Sequence, residues 1–560
     1  MGYLLIWLEA MASSVLLVAV VTAWASRRSR AWLRVGLPIA MALAVLAIAG
    51  ALVAGSIWLR YALIVPDWLW YTLSWAVVFT AAAVVVIVCG LRAKEGAAAA
   101  RLWPTGRLLV AFVAAGALGL ITFWNMDLAI EIQLAAVRAE SGALALTVAP
   151  ARVPDNLNAA LVYQRAFDSI RRFEDLPREW GETWSYWVSD TPRRGSNDPD
   201  NQVPPFNPAD AGLRKFLAEH ERTLALLRQA ATMPDCYFER LWGRPSIDML
   251  LPEYGLLRQA AVLLAVDARV KAADGNVRGA VEDLTAIFSM AAHVRAEPLV
   301  IAALVAMSVD TIGQEVLQGV LASGRLGPDD LAAIRLDETV SYQRVMGRAF
   351  LMEEAFGLSC FTLLAPETDY SVLALFELGM PSINPTVFGP VLSVWRVYLM
   401  PADLASYRRL LRDYREQCGQ PYYKNREAWE ATDERFNRRE FGIMTRLVAP
   451  ALSRAVVKAV EADAGHRLTR AALAAAAYRA RNGKYPARLQ DLMPDFLTEV
   501  PLDPFDGKPL RMAAREDGAV VFYSVGRDSK DDGGAPWDDE TKTGDVTFRL
   551  GPPAPAAADR

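Results

Sequence analysis

Histidine and cysteine are scarce in this chain, with three and four residues among 560. Zinc sites, haem sites and disulfide frameworks need several such side chains close together, so little material exists for any of them. His220, His293 and His466 lie far apart, each in a helical pattern with charged neighbours. They read as solvated or helix-packing residues rather than as ligands or bases. Cys89 falls within an apolar run. Cys236, Cys360 and Cys418 permit one disulfide and one free thiol, and spacing does not choose the pair. Also missing are the nucleophile elbow, the phosphate loop, the dinucleotide fingerprint and the zincin helix, which leaves the common catalytic routes without support. Charge is sparse too, at 22% against 53% hydrophobic residues, with a mean hydropathy of +0.18. Such a chain is too apolar to be disordered and too long for one compact domain.

What is abundant is apolar sequence before Ile130. Hydrocarbon about 30 Å thick needs roughly 20 apolar residues at the helical rise, and Tyr3 to Trp24, Val35 to Leu59, Trp68 to Leu91 and Leu108 to Ile130 meet that length. The sequence thus predicts a four-helix transmembrane anchor over residues 1–130, in contact with membrane lipids. Arg27, Arg28, Arg30 and Arg34 fill the first loop and Arg92, Lys94, Arg101 and Arg107 the third, while Tyr61 to Asp67 carries no basic residue. Basic loops stay cytoplasmic, so the expectation is a multi-pass inner-membrane protein with both termini on the extracytoplasmic side. Trp24, Trp32, Trp68, Trp70, Trp75, Trp103 and Trp124 suit the headgroup layer near span ends. Glu9 is the one ionisable residue well inside a span, and it is close enough to the N-terminus to reach the interface.

The remainder is acidic: 50 basic and 59 acidic residues follow Ile130. That balance excludes nucleic acid as an expected partner. Residues 131–440 read as an all-α extracytoplasmic domain. Apolar spacing predicts helices from Leu157 to Phe173, Ala209 to Ala231, Leu256 to Ala273, Val277 to Arg295, from Pro298 through Leu317, Pro328 to Val340, Tyr342 to Leu364 and Ala402 to Cys418. Asp274-Gly275-Asn276 marks a turn between two of them. Trp180, Trp184, Tyr186 and Trp187 form an aromatic loop that would either stack a sugar or partner, or pin itself to the helical body. Adjacent acids such as Glu353 and Glu354 diverge on a helix and read as a solvated face.

From Ser453 the pattern changes. An Ala-rich amphipathic helix runs to Arg481 and stops at Asn482-Gly483, followed by Tyr485-Pro486 and a short helix at Ala487 to Leu492. Next come Val500-Pro501-Leu502-Asp503-Pro504-Phe505-Asp506-Gly507-Lys508-Pro509 and a strand at Ala519 to Val525. An acidic loop with Asp528, Asp531, Asp532, Gly533 and Gly534 leads to a last strand at Asp545 to Leu550. This order resembles the C-terminal domain of type II secretion major pseudopilins over roughly the last hundred residues. The resemblance implies a small α+β module, helix on antiparallel sheet, over 441–550, with residues 551–560 as a disordered tail. It also implies a calcium ion held by Asp528, Asp531 and Asp532, with Ser524 near a carbonyl ligand. Ca²⁺ takes six to eight oxygens, which closely spaced carboxylates supply. Read without the resemblance, the loop is an exposed acidic hairpin. Filament assembly does not carry over, because Gly442 to Tyr478 holds Arg446, Arg454, Lys458, Glu461 and Asp463, too many charges for a bilayer.

The leading expectation is a membrane-anchored interaction or assembly protein without catalysis, with an envelope or secretion-related protein partner. The alternatives are an envelope hydrolase with a cleft near the Trp loop, and a transporter or sensor using the four spans.

Overall fold

The computed structural model describes residues 131–170, 206–363 and 399–551, apart from positions 247, 248, 250, 335, 338, 443, 444, 447, 448, 450 and 451. Residues 133–380 and 398–560 fall in one compact unit, to which every described residue from 133 onward belongs.

Its elements, in chain order, are α1 (131–148), α2 (Ala159–Ile170), α3 (Ala211–Glu219), α4 (Glu221–Ala231), α5 (Pro252–Ala273), α6 (Val277–Arg295), α7 (Val300–Ala322), α8 (Pro328–Ala333), α9 (Tyr342–Leu363), α10 (Met400–Cys418), α11 (Tyr422–Asn437), α12 (Leu452–Asn482), β1 (Arg511–Ala514), β2 (Val520–Ser524) and β3 (Val546–Leu550). Local chemistry sets several boundaries. Asp210 caps α3 by accepting Leu213 N–H at 2.7 Å, and Asn276 caps α6 by accepting Gly279 N–H at 3.1 Å. Gly275, at φ +81°, turns the chain between α5 and α6 as the sequence predicts, and Gly483, at φ +76°, ends α12.

Among the described residues there is no four-helix transmembrane anchor, and the fold class is corrected accordingly to a mostly helical body with a small sheet. Its four expected segments lie outside the described residues. Among the described residues a single helix, α7, is long and apolar enough to cross a membrane, and most of its apolar window is buried inside the protein. α7 is packed by α6, α5, α9 and α12, so its apolar surface faces protein. Hydropathy reports that a helix avoids water; it does not say whether lipid or protein takes water's place. The architecture of the described residues is a mostly helical body with one small antiparallel sheet.

α12 is the element that binds tail to body. It packs against α7, α8 and α9 and also against β2 and β3. Its Ala455, Ala459, Ala464, Ala471, Ala472 and Ala475 are buried, and such small side chains allow close approach on more than one face. The sheet has the order β1-β2-β3, with Met512 opposite Phe522 and Phe522 opposite Phe548. Every residue of β2 is buried. Gln318 of α7 accepts the Arg549 N–H of β3 at 3.0 Å, which satisfies a donor on that edge. At the α9–α10 contact, a Cβ on Gly357 would collide with the Tyr407 ring.

Candidate functional site

Two neighbouring hollows open on the body, sharing Ser289 and Ala292 of α6. The smaller, about 260 Å³, is lined by Arg295, Asp310, Asp337 and His466. His466 Nδ1 lies 3.3 Å from Asp310 Oδ2 and its Nε2 2.9 Å from the Asp337 carbonyl. Both ring nitrogens face acceptors. Burial works against the charged ring, but the hydrogen bond and charge of Asp310, with the Asp337 carbonyl, outweigh it and raise the pKa. Arg295 pairs with Asp337 at 2.6 Å. The cluster ties α12 to α6, to α7 and to the stretch after α8, and its charges neutralise one another.

The larger hollow, about 640 Å³, lies between residues 150–154 and 231–236, with Ser289 and His293 of α6, Ala296 just after it and Arg348 of α9 on its other sides. His293 donates or accepts at both nitrogens: Tyr163 Oη is 3.0 Å from Nδ1 and the Met233 carbonyl 3.0 Å from Nε2. Burial lowers its pKa, so the neutral ring donates from Nε2 and accepts from the tyrosine. Burial likewise pushes the Cys236 thiol up, aided by the charge of Glu297, and a thiol in that state is a poor nucleophile. Cys236, Cys360 and Cys418 form no disulfide among the described residues, and burial pushes Cys418 up to about 12.

Behind Cys236, Arg240 is held between Glu253 and Glu297, and Tyr254 donates to Glu297. The guanidinium is surrounded by the rings of Phe238, Trp242 and Tyr254, at 5.3–5.8 Å from their centroids. A second buried cluster joins Arg228 to Asp267 and Asp283, each at 2.6 Å, with Lys271 at 2.8 and 2.7 Å from the same two acids. Burial and the charge of Asp267 raise the pKa of Asp283. Sequence reasoning missed both clusters, whose members lie on neighbouring helices and loops up to 57 residues apart and meet only when α4, α5 and α6 pack together. The second sets two cations against two acids and braces α4, α5 and α6, whereas in the first a single guanidinium faces two carboxylates.

The tail residues expected to hold calcium point to other partners or to solvent. Ser524 Oγ donates to Asp503 at 2.8 Å, away from the acidic loop. Asp528 accepts Lys530 N–H and Asp531 accepts Gly533 N–H, both at 3.1 Å, as loop turns. Asp532 is exposed. Arg511 supplies a cation of its own: Nη1 is 3.1 Å from Asp503, Nη2 2.6 Å from Asp506 and Nε 3.1 Å from Asp531. Asp545, which the sequence pattern marks only as a strand start, is 2% exposed. It accepts Gly534 N–H at 2.6 Å through Oδ2. Asp545 Oδ1 and Asp528 Oδ2 are buried without a partner among the described residues. These two oxygens would suit a cation, but among the described residues no group of three His, Cys, Asp or Glu side chains is arranged to hold a metal ion. Asp528, Asp531 and Asp532 form no such group among the described residues. A divalent ion there would also face the Arg511 guanidinium beside Asp531.

The aromatic loop Trp180–Trp187 lies outside the described residues, as does Glu9. No protein-family model, no curated protein and no solved structure matches this chain.

Proposed function

We propose that this chain is an interaction protein that works without catalysis. One observation carries the reading: in the open hollows, the histidines and the cysteine that could act as base or nucleophile are already engaged or raised by burial. His293 and His466 use both ring nitrogens within the fold, the Cys236 thiol is raised by burial, and neither ring is left free to activate Ser289. A general base needs a free lone pair within hydrogen-bond reach of the proton it takes. The open cleft of about 640 Å³ is then a surface to bind with. Assembly through α12 in the manner of a pilin helix is not part of this reading, because helices on one side and strands on the other already pack it.

The test has two arms. The full chain is assayed on ester, glycoside, phosphate and peptide probes, and a photo-crosslinking amino acid is placed in turn at Ala151, Glu434 and Lys530. The expected result is no turnover and discrete adducts from one position but not from the others. Turnover that a single carboxylate change abolishes would overturn the reading, as would the absence of an adduct from all three positions.

A further inference from the structure

We propose that the cleft between residues 150–154 and 231–236 receives an extended polypeptide segment, bound through its main chain along Ala151–Val153 and through a carboxylate at Arg348. The inference rests on the interaction reading and names the partner chemistry of its main cleft.

The main chain is the first argument. Ala151, Arg152 and Val153 lie between two prolines in an irregular, non-helical stretch, and their N–H and C=O groups make no hydrogen bond among the described residues. Where a chain pairs as a strand, residues i and i+2 present main-chain groups on the same side, so Ala151 and Val153 are the two that would meet an added strand. Pro150 and Pro154 lack N–H donors, which confines pairing to this short edge.

Past a single 3-10 turn at Asp155–Leu157, the same segment already makes strand-like pairing. Asn158 and Asp235 form an isolated parallel bridge, with Ala159 N–H donating to the Asp235 carbonyl at 2.8 Å. The Asn158 carboxamide continues the pattern with its side chain, donating to the Tyr237 carbonyl at 2.9 Å and accepting Tyr237 N–H at 2.8 Å. Beyond this bridge the two segments line the cleft with no main-chain bonds between them among the described residues. Its volume falls within the roughly 300–1,000 Å³ typical of ligand pockets, and adding a strand to an open edge is a general mode of peptide recognition.

Charge is the second argument. Arg348 is exposed and donates through Nη2 to the Ala296 carbonyl at 3.0 Å. No carboxylate pairs with it among the described residues. Among the described residues Arg152 pairs with Glu239 alone, across 3.2 Å, with both side chains more than two-thirds exposed. Asp235 is the one acid in the lining, and His293 is neutral. A segment bearing a carboxylate gives Arg348 the bidentate partner it lacks.

The experiment is a display selection of short random peptides against the full chain, repeated on Arg348→Glu. Arg348 is exposed, so this variant retains the fold. The peptides enriched on the wild type are expected to carry an Asp, a Glu or a free C-terminus and to lose about tenfold or more in affinity for Arg348→Glu. Binding is expected to slow amide hydrogen exchange at 151–153. Equal affinity for both proteins, exchange at 151–153 unchanged by bound peptide, or no enrichment at all would each overturn the inference. None of these outcomes touches the interaction reading, which fails on turnover or on absent crosslinks.

Discussion

Asp463 of α12 caps α9 from across the fold: its carboxylate accepts the Tyr342 N–H at 2.5 Å and the Gln343 N–H at 3.3 Å, and the Ser341 hydroxyl donates to it at 3.1 Å. The first turn of a helix leaves N–H donors unmet, and they are usually met by the residue just before it. Here the Ser341 hydroxyl accepts only the Arg344 N–H among the described residues, at 3.4 Å, and the first two donors are met by the tail helix, so the start of α9 and the docking of α12 are one interaction.

Asp463→Ala is expected to destabilise the protein by about 1–3 kcal/mol, since it removes a cap and leaves buried donors unmet. Asp463→Asn keeps one acceptor oxygen and is expected to lose less. Urea unfolding of the three proteins decides it. An Ala variant as stable as wild type would mean that water meets these donors and that the cap has no energetic role.

Arg511 bonds Asp503, Asp506 and Asp531, so the chain supplies these carboxylates with a cation of its own. Melting curves of the full chain in calcium and in chelator are expected to coincide. Arg511→Ala strands the fully buried Asp503 without its cation and is expected to cost about 3 kcal/mol or more. Arg511→Lys is expected to recover only part of the loss, because an ammonium cannot reproduce the planar fork. A calcium-induced rise in the wild-type melting temperature would refute the assignment.

Asp545 gives the tail a pH dependence of definite sign. Burial pushes its carboxyl up to about 6, above the ordinary value of about 3.9. Between those two values the folded state holds more protons than the unfolded chain, so the Asp545 contribution to stability is greatest below about pH 4 and declines as pH rises toward 6. The Asp545→Asn variant is expected to lack this decline while retaining an acceptor for Gly534. Chemical unfolding at several pH values measures it, and parallel pH profiles for variant and wild type would count against the assignment.

The long apolar helices were legible because their periodicity is local. Val277–Arg295 and the Gly275 turn stand where the sequence puts them, and α5, α7, α9, α10 and α12 lie within a few residues of expectation. Elements governed by distant contacts were not legible. The helix expected from Ala209 to Ala231 breaks at His220, whose ring folds back to the Phe216 carbonyl at 2.8 Å. The helix expected to reach Val340 stops at Ala333, and beyond it Asp337 meets both His466 and Arg295. α11 escaped notice because its buried face is only Tyr422, Trp429 and Thr432 in a charged segment. β1 has little strand character of its own and is defined by pairing with β2. The site was the least legible part. The acidic loop was visible as composition, but the Arg511 pairing and the Asp463 cap join residues whose proximity no single sequence displays.

Two helical glycines provide the last prediction, since the same substitution is expected to have opposite signs at them. In α5, a Cβ on Gly255 meets nothing within 4 Å. Gly255→Ala therefore removes backbone freedom from the unfolded chain without a clash and is expected to stabilise by about 0.5–1 kcal/mol. In α9, a Cβ on Gly357 runs into the Tyr407 ring, whose hydroxyl donates to the Glu353 carbonyl at 2.8 Å and is thereby held in place. The ring is buried and cannot swing into solvent, so α9 and α10 must separate. Gly357→Ala is expected to destabilise by about 1–3 kcal/mol. Urea unfolding of both variants is the measurement. A stabilised Gly357→Ala would show that the α9–α10 contact is looser than its geometry requires, whereas a destabilised Gly255→Ala would show that this face of α5 is covered.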